Sequence, residues 1–217
     1  MGHSLGGTFA AIFAALRPHL VNRLGLIDAP LAFGASGGPI TQAVAQAPHA
    51  RRITMAVGNP VAGSAIDLFS VGAVPEAFVL QRWVDLLASL PSPEALMLHL
   101  RVMRWTLDEM PLPDGLFVDV AEELYRRDRF RCGGLAFGPE IASLDRLTTP
   151  VVAVVNPGGR VVPPESLLAG LRQAPTTAVQ VLRHEPDRGP ALQHLGPLVA
   201  PAAHRVLWPR ILDGLGF

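Results

Sequence analysis

The sequence predicts an α/β fold built on a parallel sheet, and three observations predict it. Leu24-Gly25-Leu26-Ile27 and Val151-Val152-Ala153-Val154-Val155 are apolar at consecutive positions, as strands covered on both faces must be. Turn residues end each run, Asp28-Ala29-Pro30 after the first and Asn156-Pro157-Gly158-Gly159 after the second. A third run, Ala178-Val179-Gln180-Val181-Leu182, lies between helical patterns at about 165–173 and 201–213, which completes a strand–helix alternation.

The elements follow in order from the N-terminus. Leu5 to Leu16 is small and apolar on nearly all faces and stops before Pro18, so it reads as a buried helix entered through a Gly-rich turn. The first strand comes next. The long stretch between it and the second has a different character, with helical spacing at Val79, Leu80, Trp83, Val84, Leu86, Leu87 and Leu90. Within it, Ser92-Pro93-Glu94 is a helix start with Ser as N-cap and Pro in the first turn, and that helix should reach Leu107. Asp114 to Arg127 reads as another, its apolar face made by Phe117, Val120, Ala121 and Leu124. The expected organisation is a core of residues 1–33 and 146–217 carrying C-terminal strands of a parallel sheet with flanking helices. Residues 34–145 form an inserted helical cap, with 34–39 as a flexible join.

Composition narrows the function classes. The 217 residues suffice for one domain with an insertion, and 49% hydrophobic against 17% charged residues argues for a chain that buries much of itself. Eighteen basic and eighteen acidic residues give zero formal charge, so no electrostatic footprint favours nucleic acid. Every basic residue is Arg, which excludes a Schiff-base lysine and a phosphate-loop lysine. No apolar run reaches the ~18 residues of a transmembrane segment, and no signal core opens the chain, so a cytoplasmic location is expected. The single cysteine, Cys132, lies in a Gly-rich loop and reads as incidental. No cofactor or metal is expected.

The residues that point to chemistry are Gly2-His3-Ser4-Leu5-Gly6. A Ser in Gly-x-Ser-x-Gly at the entry to a helix is held in a sharp, strained turn that exposes its hydroxyl. The N–H of Leu5, at the start of that helix, is placed to receive the oxyanion of a tetrahedral intermediate. This is the nucleophile turn of the α/β-hydrolase fold, in which a general-base histidine follows the last strand. His194 in Gln193-His194-Leu195-Gly196 has that position; His184, nearer the strand and beside Glu185, is its rival. His3 orients or fills beside the nucleophile. The loop after Val151–Val155 offers no carboxylate before Glu165, so Asp28, at the end of the preceding strand, is the substitute acid.

Further markers run along almost the whole chain. They include Pro30-Leu31-Ala32-Phe33, Gly58-Asn59-Pro60, Trp83-Val84-Asp85-Leu86-Leu87 and Arg104-Trp105-Thr106-Leu107-Asp108. Beyond these come Leu124-Tyr125-Arg126-Arg127-Asp128-Arg129-Phe130, Thr149-Pro150-Val151-Val152, Val161-Val162-Pro163-Pro164-Glu165-Ser166 and His194-Leu195-Gly196. With the nucleophile turn, the chain resembles the catalytic region of polyhydroxyalkanoate synthases, particularly the class that works with a second subunit.

The resemblance implies an acyltransferase that takes 3-hydroxyacyl groups from coenzyme A thioesters through a Cys, an Asp and a His. By position, Ser4 stands where that Cys stands, Gly159 where the Asp stands, and His194 matches the His. A Ser ester intermediate suits transfer to water or a single acceptor better than repeated thioester exchange. It also implies a small-molecule acyl substrate, a second synthase subunit or a homodimer as partner, and association with polyester granules.

In this fold the nucleophile turn follows the fifth strand, so the chain is expected to hold only the C-terminal part. A start placed late in a gene, or a natural fragment, would produce that, and at most three strands would remain. The expected function is a synthase-like acyltransferase or hydrolase acting through Ser4, His194 and Asp28 with Leu5 as oxyanion donor. A plain serine esterase and an inactive relative or non-catalytic partner of a synthase are the alternatives.

Overall fold

The computed structural model of the chain describes residues 1–108, 110–176, 178–185 and 194–217. Gly2–His3 forms a two-residue strand, β1, and Ser4–Leu16 follows at once as helix α1. Leu24–Ile27 is β2, buried at every position. Among the described residues, six α-helices lie between it and the next strand: α2 (Gly38–Gln46), α3 (Ala50–Val57), α4 (Gly63–Ala73), α5 (Gln81–Ser89), α6 (Pro93–Thr106) and α7 (Asp114–Val118). A short antiparallel hairpin, β3 (Leu135–Phe137) and β4 (Glu140–Ala142), precedes β5 (Val151–Val155). Helix α8 (Pro164–Gln173), strand β6 (Val179–Arg183), and helices α9 (Gly196–Val199) and α10 (Trp208–Leu215) complete the chain.

The main sheet is parallel and ordered β1-β2-β5-β6. Gly2 pairs with Leu26, Leu24 with Val151 and Val151 with Val179. Every strand therefore points its carboxyl end the same way, and the loops after β2 and β5 emerge side by side. The expectation of three strands at most is corrected to four: Gly2–His3 lacks the apolar run that marks a buried strand, yet its backbone pairs with β2. The last strand is displaced by one residue from the expected 178–182 because it is a sheet edge. Only Leu182 in it is buried, so the apolar pattern there is weak.

Two layers cover the sheet. On one side α1 and α8 pack with Leu26, Ala153 and Val155; on the other α10 and the turn before it bury Leu207 and Ile211 against Ile27, Val152 and Val154. Alternate residues of β2 and β5 thus serve different cores, the two-residue period of a strand buried on both faces. Burying one Leu or Ile contributes about 1.5–3 kcal/mol.

The helices between β2 and β5 include wider, π-helical turns that a 3.6-residue reading does not anticipate. Glu76–Leu80 leads into α5, and Asp119–Arg126 continues α7. Ser92 caps α6, its Oγ accepting from the Ala95 N–H at 3.2 Å, as the Ser-Pro-Glu start predicts. Buried Glu122 accepts from the Ala50 N–H at 2.7 Å, and Arg126 donates to Glu122 and to the Ala45 and Ala47 carbonyls. That network ties α2 and α3 to the helical turn at Asp119–Arg126. Leu124, Phe130, Leu135 and Ala142 join the same core as α1. Among the described residues no single helix is long and apolar enough to cross a membrane.

Candidate active site

The turn at residues 2–7 has a backbone that its sequence makes possible. Ser4 has φ +53, in the left-handed region that a side chain adopts only where the surroundings enforce it. A Cβ at Gly2 would meet the Gly6 carbonyl oxygen at 2.4 Å, and one at Gly7 would meet the Ala29 Cβ at 2.4 Å. Gly6 faces open space. The steric demand of the turn therefore falls on Gly2 and Gly7, and the second glycine of the Gly-x-Ser-x-Gly pattern is not the one under pressure. Leu5 follows in the first turn of α1, where N–H groups have no intrahelical acceptor and the helix dipole is positive.

Asp28 is fixed by the backbone around it. It too has a positive φ, +42, and its N–H donates to the Val154 carbonyl at 3.0 Å. The loop it opens is clamped from two helices. Thr8 Oγ1 donates to the Pro30 carbonyl at 2.6 Å, and Ser166 Oγ donates to the Ala32 carbonyl at 2.7 Å, both buried. The carboxylate then sits over the end of β5, where Oδ1 accepts the Asn156 N–H at 2.9 Å. Oδ2 is buried and has no hydrogen-bond partner among the described residues. Asn156 and Thr8 thus position the acid, and nothing in the sequence singled them out. Asn156 was only the first residue of a loop without carboxylates.

His194 comes to the same place from the far end of the chain. Its carbonyl accepts a hydrogen bond from His3 Nε2 at 2.8 Å, and the two imidazole rings lie 4.5 Å apart, tilted by 40°. One ligand-bearing atom from each of His3, Asp28 and His194 lies within 4.8 Å of the other two. Burial raises the Asp28 carboxyl to about 7, against the Asn156 N–H, which favours the charged form. Burial, with His3 beside it, pushes the His194 imidazole down to about 3. His3 is lowered as well, by burial and in spite of its bond to the His194 carbonyl. Both rings are neutral at physiological pH, the form in which an imidazole accepts a proton.

Three expected site residues meet unevenly. Asp28 and His194 come together with His3. Ser4 adjoins them through its chain neighbour His3, and its Oγ makes no hydrogen bond among the described residues. His184 continues the edge of β6, its N–H donating to the Val155 carbonyl, and lies outside both this cluster and the cavity beside it. Residues 186–193, including Gln193 of the histidine motif, lie outside the described residues.

A cavity of about 750 Å³ opens over the carboxyl edge of the sheet. Asp28, Asn156, Gly159 and His194 line it from the core, and Ile66, Phe78, Val84 and Trp105 from the helices above; Ser4 and His3 do not line it. Arg160 and Glu76 form an ion pair from one half to the other. Gly159 has no room for a side chain: a Cβ there would meet the Val162 carbonyl oxygen at 2.7 Å and that of Asn156 at 3.0 Å.

No family model matches the chain. Its sequence is 26% identical over 215 residues to the poly(3-hydroxyalkanoate) polymerase subunit PhaC of Haloferax mediterranei, covering 98% of this chain and 42% of that protein. It is 24% identical over 180 residues to the subunit of the same name from Allochromatium vinosum, covering 81% and 49%. The chain therefore spans less than half the length of these curated relatives.

Among solved structures it resembles the monoacylglycerol lipase of Paleococcus ferrophilus, with a TM-score of 0.55 at 13% identity, covering 99% of this chain and 66% of that one. It also resembles an α/β-fold hydrolase from Bacillus anthracis, with a TM-score of 0.51 at 11% identity, covering 99% and 65%. By these relations the chain has the α/β-hydrolase fold and is similar in sequence to polyhydroxyalkanoate polymerase subunits.

Proposed function

We propose that the chain carries an acyl-transfer site in which Ser4 is the nucleophile, His194 the general base and Asp28 the acid that orients it. The observation that carries this reading is the positive φ of Ser4 at a strand-to-helix turn whose neighbour, His3, touches His194. In the reaction Ser4 Oγ attacks the acyl carbonyl carbon while its proton passes to a ring nitrogen of His194. The carbonyl oxygen becomes an oxyanion facing the Leu5 N–H. Collapse breaks the bond to the thiolate or alkoxide leaving group, which takes the proton from His194. Water or an acceptor hydroxyl then attacks the acyl-enzyme, giving its proton to the same imidazole, and collapse breaks the bond to Ser4 Oγ, which takes that proton back as the product leaves.

The proposed substrates are 3-hydroxyacyl thioesters of coenzyme A, or the corresponding esters. The apolar cavity wall of Ile66, Phe78, Val84 and Trp105 supports an acyl occupant. The similarity to poly(3-hydroxyalkanoate) polymerase subunits supports a hydroxyacyl one. A serine at position 4 favours release of free acid over chain growth. A second reading, a non-catalytic relative, draws on one observation: Ser4 neither lines the cavity nor bonds to His194 among the described residues.

The test compares the chain with its Ser4→Ala variant on a p-nitrophenyl butyrate ester and a 3-hydroxybutyryl thioester. Removing the nucleophile should lower turnover by at least ~10³-fold, and an acyl adduct should appear on Ser4 by mass spectrometry in the parent chain alone. Equal rates from both proteins would leave only the second reading.

A further inference from the structure

We propose that His3, Asp28 and His194 form a binding site for a divalent transition-metal ion of the zinc type, and that its occupation silences acyl transfer. Their ligand-bearing atoms lie within 4.8 Å of one another. Zinc bonds of about 2.0–2.1 Å set donors roughly 3.4 Å apart in a tetrahedron, so small side-chain shifts close the site. Two imidazoles and one carboxylate are donors suited to such an ion.

The surroundings are built as metal sites are. Asp28 Oδ2 is buried and has no hydrogen-bond partner among the described residues, while Oδ1 is held by the Asn156 N–H, so the carboxylate keeps a fixed orientation and a spare lone pair. A carbonyl can only accept, so the Nε2 of neutral His3 must carry the proton it gives to the His194 carbonyl, and Nδ1 keeps its lone pair. A backbone carbonyl bonded to the second nitrogen is the usual outer partner of a metal-binding histidine. Asp28 and His194 border the cavity, which leaves a fourth position open to water. An imidazole that has given its lone pair to a metal cannot take a proton from Ser4, which makes the ion an inhibitor.

Metal binding does not rest on the acyl-transfer reading; only its inhibitory effect does. The experiment titrates the purified chain, freed of metal with a chelator, with Co²⁺ as a coloured stand-in for Zn²⁺. The expected result is one ion per chain with the intense visible bands of a four-coordinate site, displaced by Zn²⁺.

Asp28→Asn and His3→Ala should each weaken binding by more than the roughly 10–100-fold that loss of an outer partner costs. Ser4→Ala should bind as the parent does. Circular dichroism checks that each variant folds, and isosteric Asp28→Asn decides the matter if His3→Ala does not. Absence of the bands at millimolar Co²⁺, or binding unchanged in the folded Asp28→Asn chain, overturns the proposal. If Zn²⁺ binds and Ser4-dependent turnover falls, to be restored by chelator, both readings stand together. Turnover without metal binding removes the metal site alone, and metal binding without turnover removes the acyl-transfer reading alone.

Discussion

Every residue of β2 and β5 is buried, whereas Glu76–Leu80 buries none and α5 buries only Asp85 and Ser89. The two regions face each other across the same cavity, and they hold their side chains differently. Asp28 is fixed by a strained φ, by strand pairing to Val154 and by a loop clamped from Thr8 and Ser166. Val84 and Trp105, on the opposite wall, belong to helices that leave Trp83, Leu87, Trp105 and Leu107 exposed. On the proposed reading, the groups that would react sit in the half whose strands are buried at every position, and the wall that would admit a substrate sits in the half with exposed apolar side chains.

The sharpest way to break this contrast is at Asp28. Asp28→Asn keeps the shape and removes the charge that stabilises an imidazolium, so acyl transfer should fall by ~10²–10⁴-fold, read as kcat/KM on the ester substrate. Asp28→Asn combined with Gly159→Asp should not recover, although the resemblance to polyhydroxyalkanoate synthases implies an acid at position 159. A Cβ there meets the Val162 carbonyl oxygen at 2.7 Å, so the new carboxylate can enter only if the loop moves. Recovery in the double variant would mean that this edge of the sheet yields as readily as the helices above it.

Packing should show the same asymmetry. Leu31 is fully buried in the loop that Asp28 opens and lies against Gly170 of α8, where an added Cβ would come within 2.4 Å of the Leu31 Cβ. Leu31→Ala should cost about 2–5 kcal/mol, measured by urea unfolding, and should lower activity because Asp28 loses its support. A cost below about 1 kcal/mol would show a loop that relaxes around the cavity.

The charge on Asp28 gives a pH signature of a few kcal/mol at most. Its folded carboxyl titrates at about 7 against roughly 3.9 in the unfolded chain. Between these values the native state holds more protons, so this group's contribution is full below pH ~4 and is lost as pH rises toward ~7. His3 and His194, lowered by burial, act in the opposite sense below pH ~6.5. The wild-type curve alone is therefore ambiguous. The measurement is the difference in unfolding free energy between the chain and Asp28→Asn, with chelator present: the parent should lose ground to the variant as pH rises from 4 to 7. A flat difference would mean a solvated Asp28.

How much of this was legible in the sequence follows the same division. The bounds of β2 and β5 could be read from consecutive apolar residues, because burial on two faces leaves no polar position to blur them. Strand β6 has bounds that the sequence places one residue early, because four of its five residues are exposed. β1 went unread because two residues carry no period. Gly138-Pro139 marks the turn of the β3–β4 hairpin in the sequence, Gly138 taking a φ of +58.

In the insertion, Asp114 to Arg127 reads as one helix, but the turns from Asp119 widen, and hydrophobic spacing does not distinguish a π turn from an α turn over so short a run. In the candidate site, the places of Ser4, His194 and Asp28 in the chain single them out. The contact between His3 and His194 joins residues 191 apart and could not be.

The smallest effect belongs to the exposed side chains of the helices between β2 and β5. Leu68 in α4 is 74% exposed and does not line the cavity, whose nearest members on that helix are Ile66, Asp67, Ser70 and Val71. Leu68→Gln replaces one good helix former by another and removes little buried area, so unfolding free energy should move by no more than about 0.5 kcal/mol and turnover should not change. If the substitution costs more than about 1 kcal/mol, the side chain is covered in solution. Sedimentation at rising concentration then says whether a second copy covers it, because mass action makes such a cost depend on concentration and a contact within one chain does not.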